Sequence, residues 1–192
     1  EGGVVVWVVG DATIKGSETG TSFKQALYFK DIGFNLHDTM IYHRENRPLT
    51  HNRYEQCFEY MFILSKGKPK TFNPIKKPTI YQGKAYITVR GKEGFKEIRH
   101  KERNKECIIG NVWRVKVGGG KSTKDKIAYK HPAIFPERLA NDHILSWTNE
   151  RDLVYDCFIG SGTTAKMALK TNRDFIGSEI SKDYCDIANK RI

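Results

Sequence analysis

The chain has 192 residues, of which 39% are hydrophobic and 11% aromatic, and this composition suits one globular domain with or without an insert and excludes wholesale disorder. No apolar run approaches the ~18 residues of a membrane span, and no basic-then-apolar signal segment opens the chain. The four cysteines are far apart and form no Cys-x-x-Cys pair, so neither a zinc site nor a disulfide framework is indicated, and a reducing, cytoplasmic setting fits best.

The net charge of +11 is concentrated in one part of the chain. Residues 66–130 contain 19 Lys+Arg and 5 Asp+Glu, whereas the remainder of the chain has a small acidic excess. A basic block of this kind attracts polyanions through Coulomb forces and counterion release. It indicates nucleic acid as a partner, with a solvated lysine-rich surface as the alternative.

The N-terminal third predicts three strands and one helix. Val4 to Val9 is an almost continuous apolar run, which predicts a strand buried on both faces as in a parallel sheet. A polar loop and a helix that stops at Gly33 follow. Short strands are predicted at Thr39–His43 and Glu59–Ser65.

Residues 66–130 are predicted to form an inserted subdomain, because short β-prone pieces lie there among charges and glycines. These pieces are Thr79–Tyr81, Ala85–Val89 and Val112–Val117. Gly118 to Gly120 indicates a flexible joint. The predicted organisation is a catalytic-side half of a sheet in residues 1–65, the basic insert in 66–130 and a cofactor-binding half in 131–192.

The C-terminal part contains the sharpest local signal. A strand at Leu153–Phe158 leads through Gly160-Ser161-Gly162 into a helix, and a second short strand ends before Glu179. In such a turn the first glycine permits the bend, the second lets a ligand approach the backbone, and the small Ala165 lets the helix pack on the strand. The helix N-terminus adds unpaired N–H groups and the positive end of its dipole.

Glu179 follows Asp156 by 23 residues, at the place where a nucleoside ribose finds a carboxylate. The pattern predicts a nucleoside cofactor, with a tight turn beside an exposed glutamate as the alternative. A dinucleotide fold needs several more strands after this motif, and only 13 residues follow Glu179. We therefore expect earlier strands to complete the sheet, a permuted order that argues against a nicotinamide enzyme.

These residues resemble a known family. Asp156-Cys-Phe-Ile-Gly-Ser-Gly-Thr-Thr, followed by Phe-Ile-Gly-Ser-Glu179, resembles the S-adenosylmethionine motifs of the amino-group DNA methyltransferases of bacteria and phages, which modify N6 of adenine or N4 of cytosine. The motif order resembles their β subgroup. Three other stretches are similar to motifs of that subgroup: Gly2–Asp11, Asn52–Gly67 and His131–Leu139.

The resemblance implies an α/β fold with a Rossmann-like methyltransferase sheet in permuted order, mostly parallel with an antiparallel hairpin. It implies that Asp156 and Phe158 flank the methionine part of S-adenosylmethionine and that Glu179 holds the ribose hydroxyls. Backbone N–H groups of the turn would line the cofactor: Gly160, Ser161, Gly162 and Thr163. The stretch from His131 to Phe135 would close over the methionine end, although a residue before proline also suits a simple extended linker.

The family's catalytic tetrapeptide, Asp, Asn or Ser followed by Pro-Pro and an aromatic residue, does not occur, since no two of the six prolines are adjacent. In the family that loop comes before the strand that resembles Gly2–Asp11. The resemblance therefore implies a C-terminal portion of a methyltransferase, and we name no catalytic residue. We expect no methyl transfer by this chain alone, and the choice between adenine and cytosine stays open.

Double-stranded DNA is the substrate that the resemblance implies, with the target base flipped out of the duplex and no metal required. The basic insert would grip phosphates and read base edges. Its candidate DNA contacts are Lys76, Lys77, Arg90, Lys92, Arg99, Lys101, Arg103 and Lys105. Tyr42, Tyr54, Trp113 and Tyr129 could stack on a base, but each suits ordinary packing as well.

A bacterial or phage restriction-modification setting in the cytoplasm, and a homodimer, are further expectations of the resemblance. Three alternatives remain from sequence. They are an RNA or protein methyltransferase with the same cofactor half, a nucleic-acid-binding remnant without activity, and a nicotinamide oxidoreductase.

Overall fold

A computed structural model describes residues 2–44, 54–81, 83–91, 94–118 and 120–192, without the side chains of residues 86–101. The described strands are β1 (Val4–Val9), β2 (Thr13–Ile14), β3 (Ser17–Glu18), β4 (Asn35–Arg44), β5 (Phe58–Ser65), β6 (Lys76–Pro78), β7 (Lys84–Gly91), β8 (Gly94–Glu102), β9 (Glu106–Ile108), β10 (Val112–Val115), β11 (Leu153–Asp156) and β12 (Asp174–Gly177). The helices are α1 (Thr21–Asp31), α2 (Glu137–Trp147), α3 (Thr163–Lys170) and α4 (Lys182–Asn189), with a 3₁₀ helix at Lys126–Lys130. None of these helices is long and apolar enough to cross a membrane.

The chain divides into two compact units. The first comprises residues 1–73 and 111–192, and the second is Pro74–Gly110. The second unit is shorter than the insert predicted from charge. Val112–Val115, expected within that insert, instead forms β10, because it pairs in parallel with β4 in the first unit.

A four-stranded sheet in the order β1-β5-β4-β10 forms much of the first unit. β5 is antiparallel to both β1 and β4, and β10 is parallel to β4. β5 is the most buried of these strands, with Met61, Ile63 and Leu64 fully inaccessible. Of the stretch from Asn52 to Gly67 that resembles an antiparallel hairpin, the described part contains β5, whose antiparallel partners β1 and β4 both lie outside the stretch. Part of the stretch, including Asn52, lies outside the described residues.

β1 corrects one expectation about strand direction. Its alternate residues Val4, Val6 and Val8 pack on one apolar cluster, and Val5, Trp7 and Val9 pack on another. Both faces are thus covered, as the apolar run predicted. The strand is nevertheless antiparallel to β5, because a continuous apolar run reports two covered faces and does not encode the direction of the neighbour.

Helix α1 is capped from a distance by Asp11, which follows β1. The Asp11 carboxylate accepts hydrogen bonds from the backbone N–H and the hydroxyl of Ser22. These bonds, with the Ser22 hydroxyl first among them, lower the pKa of Asp11 below its usual range. A carboxylate at this end also complements the helix dipole.

β11 and β12 form a parallel pair in register from Leu153↔Asp174 to Asp156↔Gly177. One face of the pair packs through Val154 and Phe175 on Ala140, Ile144, Met167 and Ala168 of helices α2 and α3. The strand, helix and strand predicted around the glycine turn are therefore present. Their parallel order places the chain after both strands at the same edge of the sheet.

The second unit consists of two antiparallel pairs. β6 pairs with β9, and β7 pairs with β8. The predicted Ala85–Val89 strand falls inside β7. The predicted Thr79–Tyr81 strand is displaced to Lys76–Pro78, with only Thr79 continuing the contact through its backbone N–H to the Lys105 carbonyl at 2.9 Å.

Candidate cofactor site

The turn between β11 and α3 needs glycine at two positions. Gly160 has φ +50 and Gly162 has φ +81, conformations that other residues rarely adopt. A Cβ on Gly162 would lie 2.8 Å from the Cβ and 2.9 Å from the Cα of Ala188 in α4. Gly162 therefore permits both the bend and the close approach of the last helix.

Asp156 ties the end of β11 to the turn. One carboxylate oxygen accepts the Phe158 N–H at 2.9 Å, and the other accepts the Thr164 hydroxyl at 2.6 Å. Both oxygens thus hold protein groups, and this residue shapes the turn. Its role beside the methionine part of a cofactor stays a prediction.

The Glu179 carboxylate lies at the turn. Its Oε2 accepts the backbone N–H of Gly160 at 2.9 Å, and its Oε1 accepts that of Ser181 at 3.0 Å. The Ser181 N–H is the largest cause of a lowered pKa at Glu179, and the Gly160 N–H and the electrostatic interaction with His131 act in the same direction. The carboxylate is therefore ionised at neutral pH and has lone pairs left for further donors.

His131 approaches the turn from the stretch before α2. A Cβ on Gly160 would lie 3.0 Å from its Nε2, and its ring centroid is 4.3 Å from that of Tyr184 in α4. Its Nδ1 accepts the Ala133 N–H at 3.1 Å, so the neutral ring carries its proton on Nε2. The structure therefore brings His131, Gly160 and Glu179 together. Tyr184 was missed as a site residue, because its position on one face of a short helix indicates only packing.

Phe158 and Phe135, two predicted cofactor contacts, have different surroundings. The Phe158 side chain is 73% exposed, and its ring meets the Trp7 ring edge-on at 6.2 Å. Phe135 is partly buried and packs on the apolar cluster around Met61 and on that of α2 and α3. The described contacts of Phe135 are those of a core residue and do not include the turn.

Beneath the turn lies a group that sequence reasoning missed, the Arg191 guanidinium, whose side chain is fully buried. Its Nη1 donates to the Ser161 carbonyl at 2.6 Å, to the Ser161 hydroxyl at 3.1 Å and to the Thr163 hydroxyl at 3.2 Å. Ser161 and Thr163 are themselves buried. Their side chains therefore face Arg191, and only their backbones are left to line a ligand.

Two carboxylates and one lysine, all partly buried, complete the network around Arg191. Arg191 pairs with Asp125 at 3.0 Å and with Glu137 at 3.1 Å, and Lys166 reaches the same two carboxylates at 2.7 and 2.8 Å. The hydrogen bond from Lys166 is the main reason that the pKa of Asp125 is lowered. Burial alone would raise the pKa of Glu137, but Lys166 and Thr123 more than offset it. Two cations thus balance two anions.

The predicted DNA contacts are only partly described. Lys76, Lys77, Arg103 and Lys105 are exposed in the second unit, and the Arg103 guanidinium lies 5.8 Å from the Tyr81 ring centroid. Lys92 and the side chains of Arg90, Arg99 and Lys101 lie outside the described part of the chain. All eight stay predictions.

The four candidate stacking aromatics also differ. Tyr42 is 4% exposed in the core, and burial raises its pKa to about 12. Trp113 stacks on the buried His143 ring at 4.6 Å. Tyr54 is fully exposed, and Tyr129 is half-exposed with its hydroxyl donating to the Thr123 carbonyl at 3.1 Å. Tyr42 is thus a core residue, and of the four Tyr54 is the most accessible.

The fold and the glycine turn define a Rossmann-like methyltransferase class, and solved structures agree. The PvuII DNA methyltransferase (cytosine-N4-specific) has a TM-score of 0.72 at 19% identity, over 99% of this chain and 64% of that one. The M1.HpyAVI–SAM complex has a TM-score of 0.62 at 24% identity, over 99% and 74%. At these identities the likeness establishes the fold.

Sequence relatives establish the family. Residues 1–190 match the DNA methylase family of N6/N4 methyltransferases. The chain is 61% identical to the orphan methyltransferase M.BamHII of Bacillus amyloliquefaciens and spans 75% of its length. It is 31% identical to the type II methyltransferase M.MjaI of Methanocaldococcus jannaschii and spans 61% of that protein. The chain belongs to this family of amino-group DNA methyltransferases, whose methyl donor is S-adenosylmethionine, and the class, fold and cofactor predicted from sequence are confirmed.

Proposed function

We propose that the turn from Asp156 to Thr163 and the Glu179 carboxylate form the S-adenosylmethionine pocket of a site-specific DNA methyltransferase. The methyl acceptor would be N6 of adenine or N4 of cytosine in double-stranded DNA. The observation that carries the proposal is the Glu179 carboxylate, held at Gly160 by a hydrogen bond of 2.9 Å.

The ribose end of the cofactor suits Glu179. An ionised carboxylate accepts hydrogen bonds from two vicinal hydroxyls, and such charge-assisted bonds are stronger than neutral ones. The lowered pKa of Glu179 keeps it in the accepting form at neutral pH. Because Ser181 and Gly160 each occupy one of its oxygens, the carboxylate is also fixed in orientation.

The methionine end would lie near His131 and Phe158. His131 covers Gly160 at close range, and Phe158 presents an exposed ring beside Trp7. When bound, S-adenosylmethionine supplies an electrophilic methyl carbon on its sulfonium. The residues of this chain would contribute by orienting that carbon toward the flipped base and excluding water, the effects of proximity and alignment.

The partners follow from the family and from charge. The exposed lysines and arginines of the second unit support contact with duplex DNA through its phosphates. We place the enzyme in the bacterial or phage-infected cytoplasm, where DNA and S-adenosylmethionine are both present. A homodimer stays a prediction, which sedimentation analysis of the purified chain tests.

Isothermal titration calorimetry with three ligands tests the proposal. S-adenosylmethionine and S-adenosylhomocysteine should bind with one site per chain, and NADH should not. Binding of NADH without either adenosyl ligand would favour a nicotinamide enzyme, and binding of none would favour a nucleic-acid-binding protein without a cofactor.

A further inference from the structure

A second cluster of cations lies in the methyltransferase unit itself, outside the Pro74–Gly110 unit. We call residues 121–130 the lysine segment. Its four lysines are exposed: Lys121, Lys124, Lys126 and Lys130. Within the described part of the chain, the ion pairs involve other cations and none of these four.

The one acidic residue of the lysine segment does not neutralise it. The Asp125 carboxylate turns inward, accepting hydrogen bonds from Lys166 at 2.7 Å and from Arg191 at 3.0 Å. Its charge is therefore balanced by the two cations of the network beneath the turn. The exposed lysines keep a local charge of about +4. At distances shorter than the Debye length of ~8 Å, salt screens such a charge only partly.

The lysine segment is ordered by its own hydrogen bonds. Thr123 is buried, its hydroxyl accepts the Asp125 N–H at 3.1 Å, and its carbonyl accepts the Tyr129 hydroxyl at 3.1 Å. The Ser122 carbonyl accepts the Glu137 N–H at 3.0 Å, which joins the segment to α2. Because the backbone is already ordered, binding does not carry the additional cost of ordering a loop.

The lysine segment is also attached to the cofactor turn. It runs directly into His131, whose ring lies against Gly160. Arg191, which holds Asp125, also donates to the Ser161 carbonyl of the turn. A polyanion bound by the segment would therefore lie beside the pocket in which the methyl group is presented.

We propose that the lysine segment is a phosphate-binding surface, which contacts the sugar–phosphate backbone of duplex DNA next to the flipped base. The inference rests on the proposed function for its choice of DNA as the polyanion. Lysine ammonium groups act on phosphates as point charges without reading sequence, so the surface positions the duplex and leaves specificity to other residues. It is separate from the eight candidate contacts in the second unit.

The test is the salt dependence of DNA binding by the purified chain, measured by fluorescence anisotropy on a labelled duplex between 50 and 300 mM KCl. The test variant is K121Q/K124Q/K126Q/K130Q. The matched control is K15Q/K24Q/K30Q/K170Q, which removes the same charge from exposed lysines elsewhere in the unit. Each phosphate contact contributes about 0.9 to the slope of log K against log salt, so we expect the test variant to lose about 2 to 4 from the slope and the control less than 1.

Provided that the unsubstituted chain binds DNA, two outcomes would overturn the inference. They are an equal loss in the slope of log K against log salt in both variants, and no loss in either. If the unsubstituted chain does not bind DNA at any of these salt concentrations, the proposed DNA substrate fails together with the surface. Calorimetry with S-adenosylmethionine separates the two sites, since the test variant should keep its affinity for the cofactor within about twofold.

Discussion

The Glu179 Oε2 accepts the backbone N–H of Gly160 at 2.9 Å, across 19 residues of chain. This bond joins Glu179, two residues after β12, to the turn after β11, at the edge where two parallel strands end together. In open α/β sheets ligands bind at that edge. The carboxylate and the turn therefore form one site, and a substitution in either should change the affinity for the cofactor.

Gly162→Ala should destabilise the protein more than its backbone angle alone explains. An alanine at φ +81 costs about 1 to 2 kcal/mol, and its Cβ would also displace the α4 backbone at Ala188. We expect a loss of about 3 kcal/mol in the free energy of unfolding, measured by urea denaturation. Gly67→Ala is the matched control, with φ +76 and open space around the added Cβ, and it should cost only about 1 kcal/mol. Equal losses would mean that α4 does not press on the turn.

Arg191 should influence both stability and cofactor affinity. Arg191→Met leaves the partly buried Asp125 and Glu137 with Lys166 as their only cation of the network, and it should cost less than the roughly 3 to 5 kcal/mol of a broken, fully buried pair. Arg191→Lys keeps the charge but not the planar fork, whose three nitrogens separately contact Asp125, Ser161 and Glu137. We expect it to fold and to bind S-adenosylmethionine about tenfold more weakly.

The control for Arg191 is Arg138→Met, which removes an exposed guanidinium whose ion-pair partner among the described residues is Asp142 in the next turn of its helix, at 3.5 Å. A surface pair of this kind contributes less than about 1 kcal/mol. Urea denaturation measures the stability of Arg191→Met, Arg191→Lys and Arg138→Met, and calorimetry measures their affinity for S-adenosylmethionine. An Arg191→Lys variant with unchanged affinity would show that the network supports the fold without positioning the turn.

His143 should make stability depend on pH. Its ring is 6% exposed between Trp113 and the Met61 sulfur, and burial lowers its pKa to about 4. In the unfolded chain this histidine takes up a proton near pH 6.5, whereas the folded protein resists protonation until about pH 4. The contribution of the neutral His143 to the free energy of unfolding is therefore fully present above pH 6.5. It is lost as the pH falls from 6.5 to about 4, by about 3 kcal/mol in all.

The His143 prediction is tested by urea denaturation at pH 7 and pH 5, where the expected loss is about 2 kcal/mol. His143→Phe keeps an aromatic ring against Trp113 and should remove most of the difference. The exposed His37→Phe is the control and should retain it. A His143→Phe variant with the full pH dependence would assign the effect to other groups.

The local parts of the site could be predicted from sequence, and the long-range parts could not. The order of strand, glycine turn, helix, strand and Glu179 lies within 27 residues and is specified by neighbouring residue types. Arg191 lies 30 residues from Ser161 and 66 from Asp125, and at the end of a helix it has the pattern of a surface charge. Its burial depends on partners that the local pattern does not contain.

Strand pairing shows the same limit. Val112–Val117 was predicted as a β-prone piece, but the place of β10, which covers its first four residues, beside β4 depends on how the chain returns after the second unit. Tyr42 has the chemistry of a stacking residue, and only the surrounding sheet shows that it is enclosed with Met40 and Met61. The spacing of hydrophobic residues and the residue types in turns thus predict strands and helices, whereas which strands pair depends on how the whole chain packs.

The most direct test of the pocket is the affinity of S-adenosylmethionine for Glu179→Gln, measured by calorimetry against Glu150→Gln. The amide keeps the size of the side chain but loses the charge and one acceptor, and hydrogen bonds to a charged acceptor are stronger than those to a neutral one. We predict a 10- to 100-fold higher dissociation constant for Glu179→Gln and no change for the exposed Glu150→Gln. Equal affinities in the two variants would contradict the assignment of Glu179 to the ribose and with it the proposed pocket.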